Sequence, residues 1–580
     1  MKKRAVDRSA GTWGGVFAVA LFAVIILQFI TMVQSDKIYR ALNELDNVLG
    51  ESAVFGQFDN FSGVENSQDA NEGDWLVWAF RVEPKTLNQI SVERDIYSKW
   101  MTVPYIFEPL LMYDFNDLTM RPWLAESYEI SDDGLEIIYH LRDDIFFSDG
   151  EPITADDVIF TYETIINPKI DAADLANLFN NVERAEKIDE RTVRFVLKWA
   201  YFKSLENTSL WDIGVYPKHI YQYADERQFN MNISNPLGSG PYVFEKWESG
   251  NEIVLRRNEN YWGERPKLDK SVFKFITNAV AAVQAIKSHK VDMIIPEPDQ
   301  FAELAADEKF NEEFRCLSYW NPGAPFYYMG WNCDTPFFSD KKVRLAMTHI
   351  VDREQMMDKL LKGYGQIITG PYFIKGEQND ASIEPWPYDP KRAAELLDEA
   401  GWVDTDGDGV RDKDGTAFRF KFLYSNDSVF YQRLAKLFKD EAAKVGIEVI
   451  PDPYEWSVVI GKITDRDFES MVMGWGGDIL EDDYQLFHSS QIGNRGSNYV
   501  GYRSAEMDEL LERIRRTMDV GHRNELCHRV HRILHDEQPY TFLYARPTFR
   551  AIDRRFENVK VYKLGLKYWE WYVPKDRQRY

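Results

Sequence analysis

No charged residue occurs between Arg8 and Asp36, and within that gap Gly14–Val33 is apolar except for Gln28 and Thr31. A helix of about 20 such residues spans the hydrocarbon core of a bilayer. Lys2, Lys3, Arg4 and Arg8 precede the run, opposed only by Asp7, and Asp36 follows it. The positive-inside rule then places 1–13 in the cytoplasm as a basic tail and everything past about 35 outside. The sequence therefore predicts a transmembrane signal anchor over 14–35. The alternative is a cleaved signal peptide releasing a soluble periplasmic protein. Its apolar region is ~7–15 residues and ends at a small-x-small site, which Val33-Gln34-Ser35 matches poorly. No cysteine stands directly after the apolar run, which argues against a lipid anchor.

Ile38, Leu42, Leu45 and Leu49 form a short helical stripe, and 50–73 is rich in Gly, Ser, Asn and Asp without periodicity. Residues 36–73 thus read as a juxtamembrane helix and linker. The folded body is expected from Asp74, opening with a strand at Trp75–Phe80. Helix starts are legible at Thr154, with Asp157 in the capping-box position, and at Asp389-Pro390. Amphipathic helices are predicted over 429–445 and 504–518. Strands are predicted at Glu136–Leu141, Thr192–Leu197, Ile253–Arg256 and Phe418–Tyr424. This alternation indicates α/β layers. With 14% aromatic residues, the chain is no disordered polymer. A net charge of −25 disfavours nucleic acid, whose binding needs clustered Lys and Arg. Cys316, Cys333 and Cys527 allow at most one disulfide.

Catalytic signatures are missing. There is no GxSxG elbow, HExxH pair, phosphate loop or CxxC, so an enzyme is disfavoured. Leu237-Gly238-Ser239-Gly240 reads as a tight turn before a strand at Tyr242. His528, His531 and His535 fall on one helix face opposite Leu526, Val530 and Leu534. That face reads as solvated, with a metal site as the alternative. Asp404, Asp406, Asp408 and Asp412 match part of a calcium loop, but Gly415 stands where an EF-hand has a bidentate Glu. A turn-rich connection is one reading and a weak Ca²⁺ site the other; no other cofactor is expected. Glu481-Asp482-Asp483 follows Gly474-Trp475-Gly476-Gly477-Asp478, where a flat aromatic, approachable backbone and a carboxylate suit a ligand pocket.

From about 74 to 573 the chain resembles the bacterial extracellular solute-binding proteins of family 5, the oligopeptide- and dipeptide-binding type that serve ABC transporters. The blocks that carry the likeness occur in the family's order. They are Pro122-Trp123-Leu124-Ala125-Glu126-Ser127-Tyr128-Glu129, Ser131–Leu135, His140-Leu141-Arg142, Phe147-Ser148-Asp149-Gly150, Thr154–Val158, Asn235–Tyr242, Arg257–Gly263, Asp340–Arg353 and Asp389–Gly409.

The resemblance implies a two-lobed periplasmic-binding-protein-like fold of class II type with an extra small subdomain. Lobe I would comprise 74–112, 216–328 and 546–580. A small α/β extension would occupy 113–215 and lobe II 329–545. It also implies a non-enzymatic importer component that closes on a peptide and delivers it to a membrane permease. In peptide binders of the family, an Asp after a Gly-Trp-x-x pattern takes the ligand's α-ammonium. Asp478 holds that position here, beside Trp475, Gly476 and Gly477. The alternatives are a membrane-anchored sensor that signals through a partner, and a binder of a sugar or metal complex.

Overall fold

The computed structural model describes residues 72–580 apart from 92, 104, 232–234 and 494–495. The basic tail 1–13, the membrane segment 14–35 and the juxtamembrane helix and linker up to residue 71 lie outside the described residues. Among the described residues no helix is long and apolar enough to cross a membrane.

Three sheets organise the body. The first has seven strands in the order Phe314–Tyr319, Thr548–Asp553, Met293–Ile294, Trp75–Phe80, Lys270–Phe275, Glu252–Arg257, Tyr242–Glu248. Trp75–Phe80 is parallel to both its neighbours, and the other pairings are antiparallel. The nearly continuous apolar run Trp75-Leu76-Val77-Trp78-Ala79-Phe80 suits a strand covered on both faces. Alternation sends Leu76, Trp78 and Phe80 into one core and Val77 and Ala79 into another.

The second sheet has six strands in the order Gln366–Ile367, Tyr540–Ala545, Phe326–Trp331, Ser470–Trp475, Arg419–Ser425, Glu448–Tyr454. It is also covered on both faces, with Met329 and Trp331 in one core and Phe326 and Tyr328 in the other. The third sheet is antiparallel, in the order Ala125–Ile130, Glu136–Leu141, Thr192–Leu197, Val182–Asp189. Its Ile137, Tyr139, Val193 and Phe195 share a core with the first sheet.

Strand Phe314–Tyr319 leads into Phe326–Trp331, and Tyr540–Ala545 leads into Thr548–Asp553. The chain thus passes between the first two sheets at 320–325 and again at Arg546-Pro547. The expected lobe boundary at 329 falls inside a strand of the second sheet.

Local signals act as their chemistry requires. The Asp157 carboxylate accepts the Thr154 N–H at 2.9 Å, closing the helix start, and also accepts the Lys218 N–H at 2.8 Å. A Cβ on Gly238 would lie 2.1 Å from the Ile106 carbonyl oxygen, and one on Gly240 2.4 Å from that of Tyr105. Only glycine permits that approach. It brings Ser239 to buried Glu108, whose carboxylate accepts Ser239 Oγ at 2.8 Å, Trp123 Nε1 at 2.8 Å, Tyr261 Oη at 2.7 Å and Trp262 Nε1 at 2.9 Å. Three motif blocks far apart in sequence therefore converge on one side chain. Near the ends of the body, the Arg555 guanidinium pairs with Asp74 and Asp292, all buried, and Trp75 stacks on Tyr580 at 4.6 Å.

Candidate functional site

Strand Ser470–Trp475 runs through the middle of the second sheet and delivers Gly476, Gly477 and Asp478 at its end. A Cβ on Gly477 would sit 2.3 Å from the Pro322 carbonyl oxygen and 2.6 Å from that of Ala324. The loop is therefore pressed onto the crossing segment 320–325. Gly476 faces open space, with nothing within 4 Å of a Cβ. Trp475 lies flat on Tyr499, ring centroids 5.7 Å apart. Asp478 is fixed by its own loop: its N–H donates to Glu481 Oε1 at 2.6 Å, and its Oδ1 accepts the Ile479 N–H at 2.7 Å. Of the four expected site residues, then, Asp478 and Gly476 face available space, Trp475 forms an aromatic wall, and Gly477 is a backbone contact.

Facing this loop is the segment Trp199-Ala200-Tyr201-Phe202-Lys203, which follows the third sheet. The Lys203 ammonium pairs with Asp478 and, at 2.9 Å, with Glu206. Glu206 also accepts Tyr113 Oη at 2.5 Å. Tyr201 Oη donates to Asp482 Oδ2 at 2.6 Å, and Arg515 Nε reaches the same oxygen at 2.8 Å. The Phe202 N–H donates to the Arg515 carbonyl at 3.1 Å. The Arg515 guanidinium lies 3.7 Å over the Tyr484 ring. A cavity of about 70 Å³ remains beside the pair, lined by Lys203, Glu206, Trp211, Asp212 and Asp478 among others.

The electrostatics are those of a crowded, desolvated carboxylate cluster. Burial pushes Glu206 up to about 7 against the opposing pull of Lys203. Burial, then the charges of Asp478 and Asp483, raise Glu481 well above the ordinary range. Asp483 is also pushed up to about 7 by burial. Burial works against the Lys203 ammonium, yet Asp478 and Glu206 outweigh it and hold its pKa well above normal. Sequence reasoning found the carboxylates as a cluster but missed Lys203, Glu206, Tyr113, Tyr201 and Arg515. A single lysine after an aromatic run carries no sequence signal.

Other candidate residues fall elsewhere. Asp404, Asp406 and Asp412 bring carboxylate oxygens within 4.8 Å of one another, and Asp408 is not among them. These side chains also close their own turns, Asp404 accepting the Gly407 and Gly409 N–H groups and Asp412 the Thr405 N–H.

The solvated histidine face is corrected. His531 is fully buried, because the irregular segment 369–386 covers that side of the helix. Its Nδ1 accepts the Asp380 N–H at 3.2 Å, and Nε2 lies 2.8 Å from Thr369 Oγ1. His528 meets the Glu377 carbonyl at 2.9 Å, and His535 stacks on Trp386 at 4.9 Å. Each ring is occupied by a different partner. Cys316, Cys333 and Cys527 are free.

A sequence model described as bacterial extracellular solute-binding proteins, family 5 Middle, matches residues 119–497. The chain is 32% identical to the oligopeptide-binding protein AppA of Bacillus subtilis over 86% of its own length and 91% of that protein's. The structure of AppA in complex with a nonapeptide superposes with a TM-score of 0.78 at 30% identity, covering 87% of this chain and 100% of that one. NikZ of Campylobacter jejuni, solved with Ni(L-His), gives a TM-score of 0.74 at 25% identity, covering 86% and 99%.

Proposed function

Because this chain belongs to the bacterial extracellular solute-binding proteins of family 5, we propose that it is the extracytoplasmic peptide-binding component of an ABC-type importer. It binds rather than catalyses, and it hands its cargo to a membrane permease. Two lobes joined by two crossing segments close on the ligand by hinge motion. Asp478 receives the ligand's α-ammonium, and Trp475 and Gly476 line the approach. One observation carries this reading: Asp478, hydrogen-bonded within its own loop, faces the segment that follows the third sheet and pairs there with the Lys203 ammonium. A charge-assisted hydrogen bond from a carboxylate to an ammonium is among the stronger polar contacts available to a ligand.

The test is calorimetry with peptides bearing free amino ends. Asp478→Asn should weaken binding by roughly 10–100-fold, the worth of a hydrogen bond to a charged group, with little change in melting temperature. Unchanged affinity would remove Asp478 from the site.

We also propose that 14–35 anchors the protein and that the linker lets the body reach its permease, raising local concentration. The support is the charge-free apolar run and its basic flank. N-terminal sequencing of the cell-derived protein decides this, since a start near Asp36 means cleavage and release. Binding requires no cofactor in this reading. The Asp404 loop is proposed as a weak Ca²⁺ site, supported by the convergence of Asp404, Asp406 and Asp412. Titration with CaCl₂ of the protein and its Asp404→Asn/Asp406→Asn variant tests it.

A further inference from the structure

We propose that Lys203 is a specificity-determining residue: a tethered ammonium that satisfies Asp478 when the ligand does not, so that the protein accepts peptides with blocked amino ends as well as free ones. This rests on the assignment of Asp478 as the ammonium subsite.

The geometry supports it in three ways. Lys203 belongs to the segment that follows the third sheet, whereas Asp478 lies in the loop after strand Ser470–Trp475 of the second, so their ion pair bridges two separate sheets. Lys203 also has a second partner on its own side, Glu206 at 2.9 Å, itself held by Tyr113. It can therefore surrender Asp478 to an incoming ammonium without becoming an unpaired charge. Finally, its side chain is only 9% exposed, and the adjoining cavity of about 70 Å³ holds a few waters, not a peptide. The lysine occupies the place where a ligand's amino group would meet the carboxylate.

The energetic consequence concerns discrimination. A carboxylate closed off from water without a partner is costly, and a site left with such a group rejects ligands that fail to pair it. The Asp478 side chain is 39% exposed in this structure, so the cost arises where a bound peptide covers it: without Lys203, a blocked peptide would leave the carboxylate covered and unpaired. With Lys203 present, a blocked peptide leaves the lysine on Asp478, and a free peptide moves it onto Glu206. Both closed complexes are fully paired.

The experiment compares one peptide with its N-acetylated form by calorimetry. In the wild-type protein the two Kd values should agree within about fivefold. In Lys203→Met the ratio should widen to at least 20-fold, chiefly because the acetylated peptide weakens. Lys203→Met/Glu206→Gln, which removes the carboxylate left without its lysine, should show the same widening if the single variant folds poorly. A ratio that is already large in the wild-type protein and unchanged in both variants overturns the role of Lys203 while leaving Asp478 in place. If adding Asp478→Asn to Lys203→Met fails to collapse the widened ratio, the Asp478 assignment falls, and this inference with it.

Discussion

Tyr201 donates its hydroxyl to Asp482 Oδ2 at 2.6 Å, joining the segment after the third sheet to the loop after the central strand of the second. Arg515 holds the same oxygen at 2.8 Å and lies over the rings of Tyr201 and Tyr484. With the pair formed by Lys203 and Asp478, this contact bridges the two sides of the proposed cleft. Removing the hydroxyl with Tyr201→Phe deletes one hydrogen bond to a charged group, worth ~1.5 kcal/mol or more. The ligand-free closed population should fall about tenfold relative to open. Distances between spin labels on the two lobes measure this, and an unchanged distribution would show that the contact does not govern closure.

The two glycines before Asp478 should respond differently. Gly477→Ala drives a methyl into the Pro322 and Ala324 carbonyls and should cost ~1–3 kcal/mol. Gly476→Ala points into open space and should stay within ~0.5 kcal/mol of the parent. Urea unfolding separates them; equal losses would mean that the loop is not seated on the crossing segment.

Glu108 is a buried carboxylate met only by neutral donors, and burial raises its pKa against the pull of Tyr261, Trp262, Ser239 and Trp123. Ser239→Ala removes one of the four contacts and should cost ~1–2 kcal/mol. Glu108→Ala strands four donors at once and should cost at least ~4 kcal/mol by the same accounting. Denaturant midpoints give both values, and comparable losses would mean that the convergence on Glu108 has no structural weight.

His531 should give the protein an acid limb. Burial, then the neighbouring His535, lower its pKa to about 4, outweighing Asp380, with His528 adding to the lowering. A base depressed on folding contributes stability that is fully present above its unfolded value of about 6.5 and is lost as pH falls through about 4. Glu206 has the opposite sign. Its carboxyl is raised to about 7, so its contribution is present at low pH and lost as pH rises through that value. Between pH 6.5 and 4, wild-type protein should lose stability relative to His531→Gln by up to ~1.4 kcal/mol per pH unit. Parallel curves for the two proteins would show that His531 titrates normally.

Much of the fold was legible because its signals are local. Strands at Trp75–Phe80, Glu136–Leu141 and Thr192–Leu197 and the helix starts at Thr154 and Asp389 stand where periodicity and capping chemistry put them. Burial of the histidine face was not legible. It depends on segment 369–386, which has little regular structure and hence no periodicity to announce where it packs. The candidate site divided in the same way. Gly474-Trp475-Gly476-Gly477-Asp478 is contiguous and stood out through its composition, whereas Lys203 lies 275 residues away from Asp478.

The sequence by itself determined the α/β class, the family, and Asp478 as the carboxylate to watch, since each depends on residue order within short windows or on ordered blocks. Only the tertiary structure decided that Gly477 serves backbone contact, that Glu108 gathers three distant motif blocks, and that Asp478 faces a lysine. Those relationships join side chains that come within a few ångströms only when separate layers close on one another. Distance along the chain carries no trace of such contacts.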